Sequence, residues 1–381
     1  MTKVSIVGGG NAGCISALYL SWFNKDLEVE LTHNPDIPCE RVGQATVLEP
    51  PQLFWASTGF NWYHNPIHAT FKSGVLYEGW GHLNEEVYHG FPANGMAMHF
   101  CPSEMQKHVL NCGHFKVIEN NILDVNNIDA DYVFDCRGKP EDYSDYDELI
   151  NPTNACILAQ ANWDTAKAYW SRHVATPDGW AFVIPTLKDS PSRSGGVGYC
   201  YNSNITSKED AEKNMLDMFD VDITTHINYK NYVAKNPIIG DKIFLNGNRL
   251  FFLEPLESTA VQAYIECARY FVDYIITKKE PVEQAAHSAK QYIRQLQNFV
   301  LWHYQFGSKY DTPFWNYAKK LSFRDKTFDA MVEYCKQTTN RDILPKSFGG
   351  STSSASQYGQ WPANSFKIWH DGMTVTQDRN G

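Results

Sequence analysis

The apolar run Val4-Ser-Ile-Val7 leads straight into Gly8-Gly-Gly-Asn-Ala-Gly13, and a helical pattern of Ala17, Leu18, Leu20 and Trp22 follows. A strand, Gly8-x-Gly10-x-x-Gly13 and a helix in that order form the arrangement that holds the pyrophosphate of a dinucleotide. Gly8 permits the tight turn, Gly10 lets the pyrophosphate approach the backbone, and Gly13 lets helix and strand pack closely. The chain is thereby committed to a parallel, Rossmann-like sheet at its N-terminus. The next strand, Val29-Glu-Leu-Thr32, should end on an acid for the adenosine ribose. His33 and Asn34 stand there instead, while Glu30 should point along the strand. A neutral imidazole or the Asn34 amide can still bond a hydroxyl. Asp131-Tyr-Val-Phe-Asp-Cys-Arg-Gly138 reads as a second buried strand ending in a glycine turn, and Ile243-Phe-Leu245 as a third.

Leu253-Glu-Pro-Leu-Glu-Ser-Thr-Ala-Val261 is the second constraining stretch. Pro255 stops a helix from running through it. From Val261 the apolar residues Tyr264, Ile265, Ala268, Phe271, Val272 and Ile275 fall on one helical face. Thr259 and Gln262 fit a capping box, so the helix should start there. The loop delivers a carboxylate, two hydroxyls and free N–H groups to a helix N-terminus, a place suited to an anion. By these residues alone Glu257-Ser-Thr259 reads first as a helix cap, since such caps are common.

Elsewhere the pattern is coarser. Pro35 to Thr46 carries two prolines and Gly43 and reads as a loop. Phe71-Lys-Ser-Gly74 contains a lysine that, taken alone, is a solvated surface charge. Between Gly138 and Leu253 short alternating runs indicate an antiparallel sheet, with Gly179–Pro185 and Gly198–Tyr201 as strands. Trp180 and Phe182 have the same parity and should share a face. Pro281 to Val300 is expected to be helical, with Trp302-His-Tyr304 leading out of it. Ser347 to Gly359 reads as a mobile loop and the tail after Asp371 as frayed.

The 381 residues are 43% hydrophobic, and Trp, Tyr and Phe number 11, 21 and 21, which suits a packed protein that presents flat surfaces to a ring-shaped ligand. A net charge of −10 argues against duplex DNA as a partner. The nine cysteines, none spaced C-x-x-C, read as reduced thiols rather than disulfides or a metal site. No stretch reaches the length of a membrane span, so a cytoplasmic location is expected, with no membrane partner.

Taken together, Gly8-x-Gly10-x-x-Gly13, Val42-Gly-Gln-Ala-Thr46, Phe71-Lys72, Asp135-Cys-x-Gly138, Gly179-Trp-x-Phe-x-Ile-Pro185, Leu253–Thr259 and Asp311-Thr-Pro-Phe-Trp315 resemble the flavin-dependent halogenases of the tryptophan-halogenase type. The short, asparagine-rich chain is similar to compact phage-type members, which would place it in a host cytoplasm. The resemblance implies a mixed α/β, glutathione-reductase-type FAD-binding fold: a parallel Rossmann-like sheet, an antiparallel sheet and a mainly helical substrate-side module. Residues 1–280 would be the FAD-binding domain, with about 60–105 and 150–235 on the substrate side, and 281–381 the helical module. A separate flavin reductase would supply FADH2. With O2, a chloride, bromide or iodide ion would be oxidised to hypohalous acid, which reaches a small aromatic substrate. Lys72 matches the family lysine that receives or polarises the hypohalous acid, and Glu257 the carboxylate beside it. The backbone amides of Thr259 and Ala260 match the halide site. Cofactor contacts are implied for Gly8, Gly10, Asn11, Ala12, Gly13, Asn34, Ile37, Gln44, Ala45, Asn248 and Val261. Trp180 and Phe182 match the aromatics that separate flavin from substrate, and a homo-oligomer is expected.

The chain departs from the pattern at Phe182 for a tryptophan, Gln44 for a glutamate, Ala260 for a glycine, and the missing ribose acid. Two alternatives stay open on these grounds: a flavin-dependent aromatic monooxygenase, and a non-catalytic flavin-binding relative. The monooxygenases usually carry a Gly-Asp pair where this chain has Gly247-Asn248.

Overall fold

The computed structural model describes residues 1–39, 43–81, 86–91, 95, 97–187, 195–275, 277–278, 281–323, 325–337 and 357–374. Val42 of the quoted motifs, positions 347–356 of the expected mobile loop, and the tail from 375 lie outside them.

Thr2–Val7 sits inside a six-stranded sheet, in parallel register with Leu27–His33 on one side and Tyr132–Asp135 on the other. Ile243–Leu245 extends the parallel run, Lys116–Glu119 closes one edge, and Ile238–Ile239 adds an antiparallel strand at the other. Covered strands of this kind read as near-continuous apolar runs, as Val4-Ser-Ile-Val7 does. Helix Asn11–Phe23 is buried from Ala12 through Ser21, because it packs against the sheet and against helix Ala260–Ile275. Its two interior serines return their hydroxyls to the carbonyls of Ala12 and Ala17, which satisfies them without water.

The second sheet has seven strands: Val221–Asn228, Ala155–Ala161, Gly196–Tyr201, Gly179–Ile184, Ser171–Thr176, Gly74–Glu78 and Glu86–Gly90, in that order. All neighbours are antiparallel except Ser171–Thr176 with Gly74–Glu78. Trp180 and Phe182 do share a face, 5.9 Å between ring centroids. Ala181, Val183, Val197 and Tyr199 point the other way, into a separate cluster with Ala211 and Met215 of helix Lys208–Met218.

A three-stranded sheet of Gln44–Ala45, Ala97–Phe100 and Thr70–Lys72 places Lys72 on a strand. The helical part begins with Val282–Gln305, which runs past the expected end at Val300, so Trp302, His303 and Tyr304 are helical rather than a lead-out. Helix Ala363–Thr374 carries regular structure past Asp371, and Gln357–Tyr358 pairs with Trp361–Pro362, so these ends of the expected loop and tail are ordered. Among the described residues no helix is long and apolar enough to cross a membrane.

Candidate active site

Between the two large sheets lies a cavity of about 1520 Å³. Of the residues expected to hold the cofactor, Gly8, Gly10, Asn11, Ala12, Asn34, Ile37, Gln44, Ala45 and Asn248 line it. Gly13 and Val261 do not; they are packed behind the wall. Gly8 takes φ +117°, and a Cβ there would meet the Cys136 carbonyl oxygen at 2.3 Å. A Cβ on Gly13 would lie 1.8 Å from the Gly8 carbonyl oxygen, so only glycine lets this helix start against the strand. Gly10 has nothing within 4 Å of its would-be Cβ, which leaves its backbone open to the cavity. Among the described residues no side chain caps helix Asn11–Phe23, its first turn holds no acid, and the buried Asn11 Oδ1 has no partner. Open backbone and free N–H groups at a helix start together fit a pyrophosphate, whereas Asn11 Oδ1, which can only accept, suits a hydroxyl rather than a phosphate oxygen.

At the ribose position, Asn34 Oδ1 accepts from the Asp36 N–H at 2.9 Å, leaving its amide nitrogen to donate. Glu30 pairs with Lys3 and Lys116 at 3.8 and 3.6 Å, committed elsewhere. Arg137 and Arg249 line the cavity and share Asp135, at 2.8 and 3.2 Å. These two cations were not singled out from the sequence, because only folding brings them to one carboxylate.

The Leu253–Val261 loop forms the cavity's inner wall, through Ser258, Thr259 and Ala260 among others. Glu257 and Ser258 hold φ of +69° and +54°, sparsely populated for residues with a Cβ, and such strain persists only where surroundings over-determine it. The helix begins at Ala260 as expected. The capping box is not formed: the Gln262 amide nitrogen donates to Glu49 and Glu266, and its oxygen has no partner among the described residues. Arg269, bonded to both glutamates, draws them to the helix flank, and Gln262 follows.

Lys72 is fully buried, far from the solvated charge its isolated sequence context suggests. Its ammonium donates to the Thr46 carbonyl at 3.0 Å and to Ser258 Oγ at 2.9 Å, and lies 5.4 Å from the centre of the Phe91 ring. Glu257 turns its carboxylate away from that ammonium. Oε1 accepts from Tyr77 and lies 3.1 Å from His89 Nδ1 and 3.2 Å from His303 Nε2; Oε2 accepts from Trp361 Nε1 at 3.0 Å. Lys72 and Glu257 therefore meet through the loop, by way of Ser258, rather than head to head.

The sequence profile of the tryptophan halogenase family matches residues 3–112 and 116–372. The chain belongs to the tryptophan halogenase family. It is 21% identical to tryptophan 7-halogenase KtzQ of Kutzneria sp. over 476 aligned positions, covering 96% of this chain and 86% of that protein. It is 24% identical to tryptophan 7-halogenase RebH of Lentzea aerocolonigenes over 218 positions, 52% of this chain but only 39% of that protein. The fold is similar to that of MibH, a lanthipeptide tryptophan 5-halogenase, with a TM-score of 0.78 at 18% identity over 98% of this chain and 86% of that one.

In this member of the tryptophan halogenase family, burial pulls the Lys72 ammonium down to about 7, with the Glu257 charge opposing. Burial pushes the Glu257 carboxyl up, but attraction to His89 and hydrogen bonds from His303 and His89 reverse this and hold it well below the usual carboxylate range. His303 Nδ1 lies 2.7 Å from the Phe299 carbonyl oxygen, which can only accept, so Nδ1 carries a proton. Nε2 then needs a second proton to donate to Glu257; burial lowers the His303 pKa and so disfavours that proton, while the hydrogen bond and charge of Glu257 favour it. On its other edge His89 Nε2 lies 2.8 Å from Ser365 Oγ. Tyr77, His89, His303 and Trp361 escaped the sequence reading. They come from four separate segments, and only the shared carboxylate marks them as a set.

Phe182 lies at the cavity wall and Trp180 behind it, fully buried, its indole Nε1 3.4 Å from Glu254 Oε2. A Cβ on Gly198 would fall 2.0 Å from the tip of the Phe182 ring, so the ring lies across a glycine gap in the neighbouring strand.

Proposed function

We propose that this chain is a flavin-dependent halogenase that oxidises halide with O2 and directs the resulting hypohalous acid through Lys72 onto an electron-rich aromatic ring. The observation that carries the reading is the bond between Lys72 and Ser258. Ser258 lies on the wall of the dinucleotide-sized cavity, and Lys72 reaches it from the opposite, enclosed side.

The cavity's glycine turn, the N–H groups of Asn11 and Ala12, and Arg137 and Arg249 would hold FAD. Reduced FAD, supplied by a separate flavin reductase, would provide the reducing equivalents that let O2 convert halide to hypohalous acid. The backbone amides of Thr259 and Ala260, at the start of a 16-residue helix, would hold the halide. The Lys72 ammonium offers a compact, rotatable donor to hypohalous acid and helps hydroxide depart. With its pKa near neutrality it can give up and regain a proton at working pH. The Glu257 charge, fixed by its four donors, stabilises the cationic ring formed when the aromatic takes up halogen. Trp180 and Phe182 keep the aromatic out of the flavin cavity.

The test supplies FADH2, O2 and bromide with a panel of phenols, indoles and pyrroles. Products with bromine's isotope doublet, lost in Lys72→Ala under conditions that quench free hypobromous acid, are expected. Products that gain only oxygen would replace this reading with the monooxygenase.

A further inference from the structure

Cys156 and Cys200 face each other across neighbouring strands of the second sheet. In the same strand pair the Ala161 N–H bonds to the Gly195 carbonyl, and on its other edge the Asn154 carbonyl accepts from Tyr229. Backbone bonding alternates along a strand, so Cys156 bonds toward Val221–Asn228, and its pairing with Cys200 is of the non-hydrogen-bonded kind. Such pairs bring Cα atoms to about 4.5 Å, within the range of about 4.4–6.8 Å that a disulfide spans. Both thiols are free, and both line the dinucleotide-sized cavity. On its other side Cys200 is paired with Trp180, so the row across the sheet reads Cys156, Cys200, Trp180.

The adjacency bears on the proposed chemistry, on which this inference rests for its oxidant. Trp180 is itself an electron-rich aromatic ring, the class of target that hypohalous acid attacks. We propose that Cys156 and Cys200 form an oxidant-intercepting dithiol, which closes to a cross-strand disulfide when hypohalous acid strays into the cavity and so spares Trp180. One thiol takes the halogen from hypohalous acid, giving a sulfenyl halide and water. The second sulfur displaces halide, forming the S–S bond and releasing a proton. Two thiols are oxidised by two electrons, and hypohalous acid is reduced to halide and water. Burial, with Cys156 alongside, pushes the Cys200 thiol well up. Hydrogen peroxide, which needs a thiolate, is then a poor reagent, whereas hypohalous acid also attacks the neutral sulfur.

The experiment treats the full-length protein with one equivalent of hypobromite or of hydrogen peroxide, alkylates the remaining thiols, and maps peptides by mass spectrometry. Hypobromite should produce a linked Cys156–Cys200 peptide lighter by two hydrogens, ahead of any other cysteine, and peroxide should lag. Alkylated Cys156 and Cys200 beside oxidised cysteines elsewhere, or separate sulfonic acids at the two positions, would overturn the proposal. A second arm follows turnover with FADH2, O2, bromide and a phenol. The double variant Cys156→Ala/Cys200→Ala should accumulate bromine or oxygen on the Trp180 peptide while the parent protein accumulates the disulfide. Brominated phenol with the pair still reduced and Trp180 intact in the variant would refute interception. Disulfide with the reagent, but neither disulfide nor brominated phenol on turnover, would uphold the dithiol chemistry and overturn the halogenase reading instead.

Discussion

Glu254 and Glu257 lie three residues apart in one loop, both sealed from solvent, and they are pushed in opposite directions. Glu254 is held by the Tyr304 hydroxyl at 2.7 Å, the Thr153 hydroxyl and the Trp180 indole, all neutral donors. Burial raises its pKa and these bonds only partly oppose the rise. Glu257 also has a hydroxyl and an indole N–H, but two imidazoles are added, and its pKa falls well below the usual range. Depth is common to both, so depth does not decide the charge. A partner able to carry a proton does. One glutamate is a hydrogen-bonded strut behind Trp180; the other is a fixed negative charge on the far side of the loop from the cavity.

Glu257→Gln breaks the comparison most severely. The amide keeps the shape but carries no charge. If the fixed charge stabilises the cationic ring, halogenation should fall by about 10²- to 10⁴-fold in kcat, with FAD binding retained. Steady-state rates beside a flavin titration measure this. A variant as fast as the parent would remove Glu257 from the chemistry.

His303→Leu attacks the same charge from its partner. Leaving one member of a buried pair unpaired costs about 3 kcal/mol, readable by urea unfolding. The sign with pH follows from the lowered carboxyl. Its stabilisation is present above the unfolded value of about 4.3 and is lost as pH falls through the lower folded value. In His303→Leu the loss should be smaller and complete at a higher pH, because one of the groups that lowers Glu257 is gone. An unchanged acid limb would show that His303 does not hold that proton.

The sequence was most legible where one local motif sufficed. The glycine turn required no distant residue, since its steric demands come from Gly8, Gly13 and the adjoining strands. The helix from Ala260 was legible in its apolar spacing, but its capping box was not a safe inference. Gln262 is claimed by Glu49, which lies more than two hundred positions away. Lys72 defeats local reading altogether: a lysine between Phe71 and Ser73 is a surface residue until Thr46 and Ser258 are brought to its ammonium. The family resemblance supplied that residue where periodicity did not. His89, His303 and Trp361 carry no local signal, because each is an ordinary residue of its own strand, helix or hairpin.

Lys72→Met extends the comparison to a buried cation. Replacing a buried charge by an apolar side chain of similar length should stabilise the protein by about 2 kcal/mol at pH 6 while abolishing halogenation. The pH dependence is specific. Below about 7 the lysine is charged in both folded and unfolded protein, and the parent bears the full burial cost. Above that the folded amine is neutral while the unfolded one stays protonated up to about 10.4, so the parent gains stability with rising pH. The advantage of Lys72→Met should therefore shrink between pH 7 and pH 10, as followed by unfolding at each pH. A constant advantage would mean that the ammonium is not depressed.

Glu254→Gln should have the smallest effect and sharpens the comparison most directly. The amide oxygen can keep the Thr153 and Trp180 bonds, and the Tyr304 hydroxyl can turn to accept from the amide nitrogen. The change should cost under about 1 kcal/mol at pH 5 and leave halogenation close to that of the parent. Because the folded carboxyl is raised, its favourable contribution is complete below the unfolded value and is lost as pH rises through the folded value. Glu254→Gln has no such loss, so its stability relative to the parent should improve with pH. A penalty as large as that of Glu257→Gln, with no improvement at higher pH, would show that Glu254 is also a buried charge, and that neutral hydroxyl and indole donors suffice to hold one in this loop.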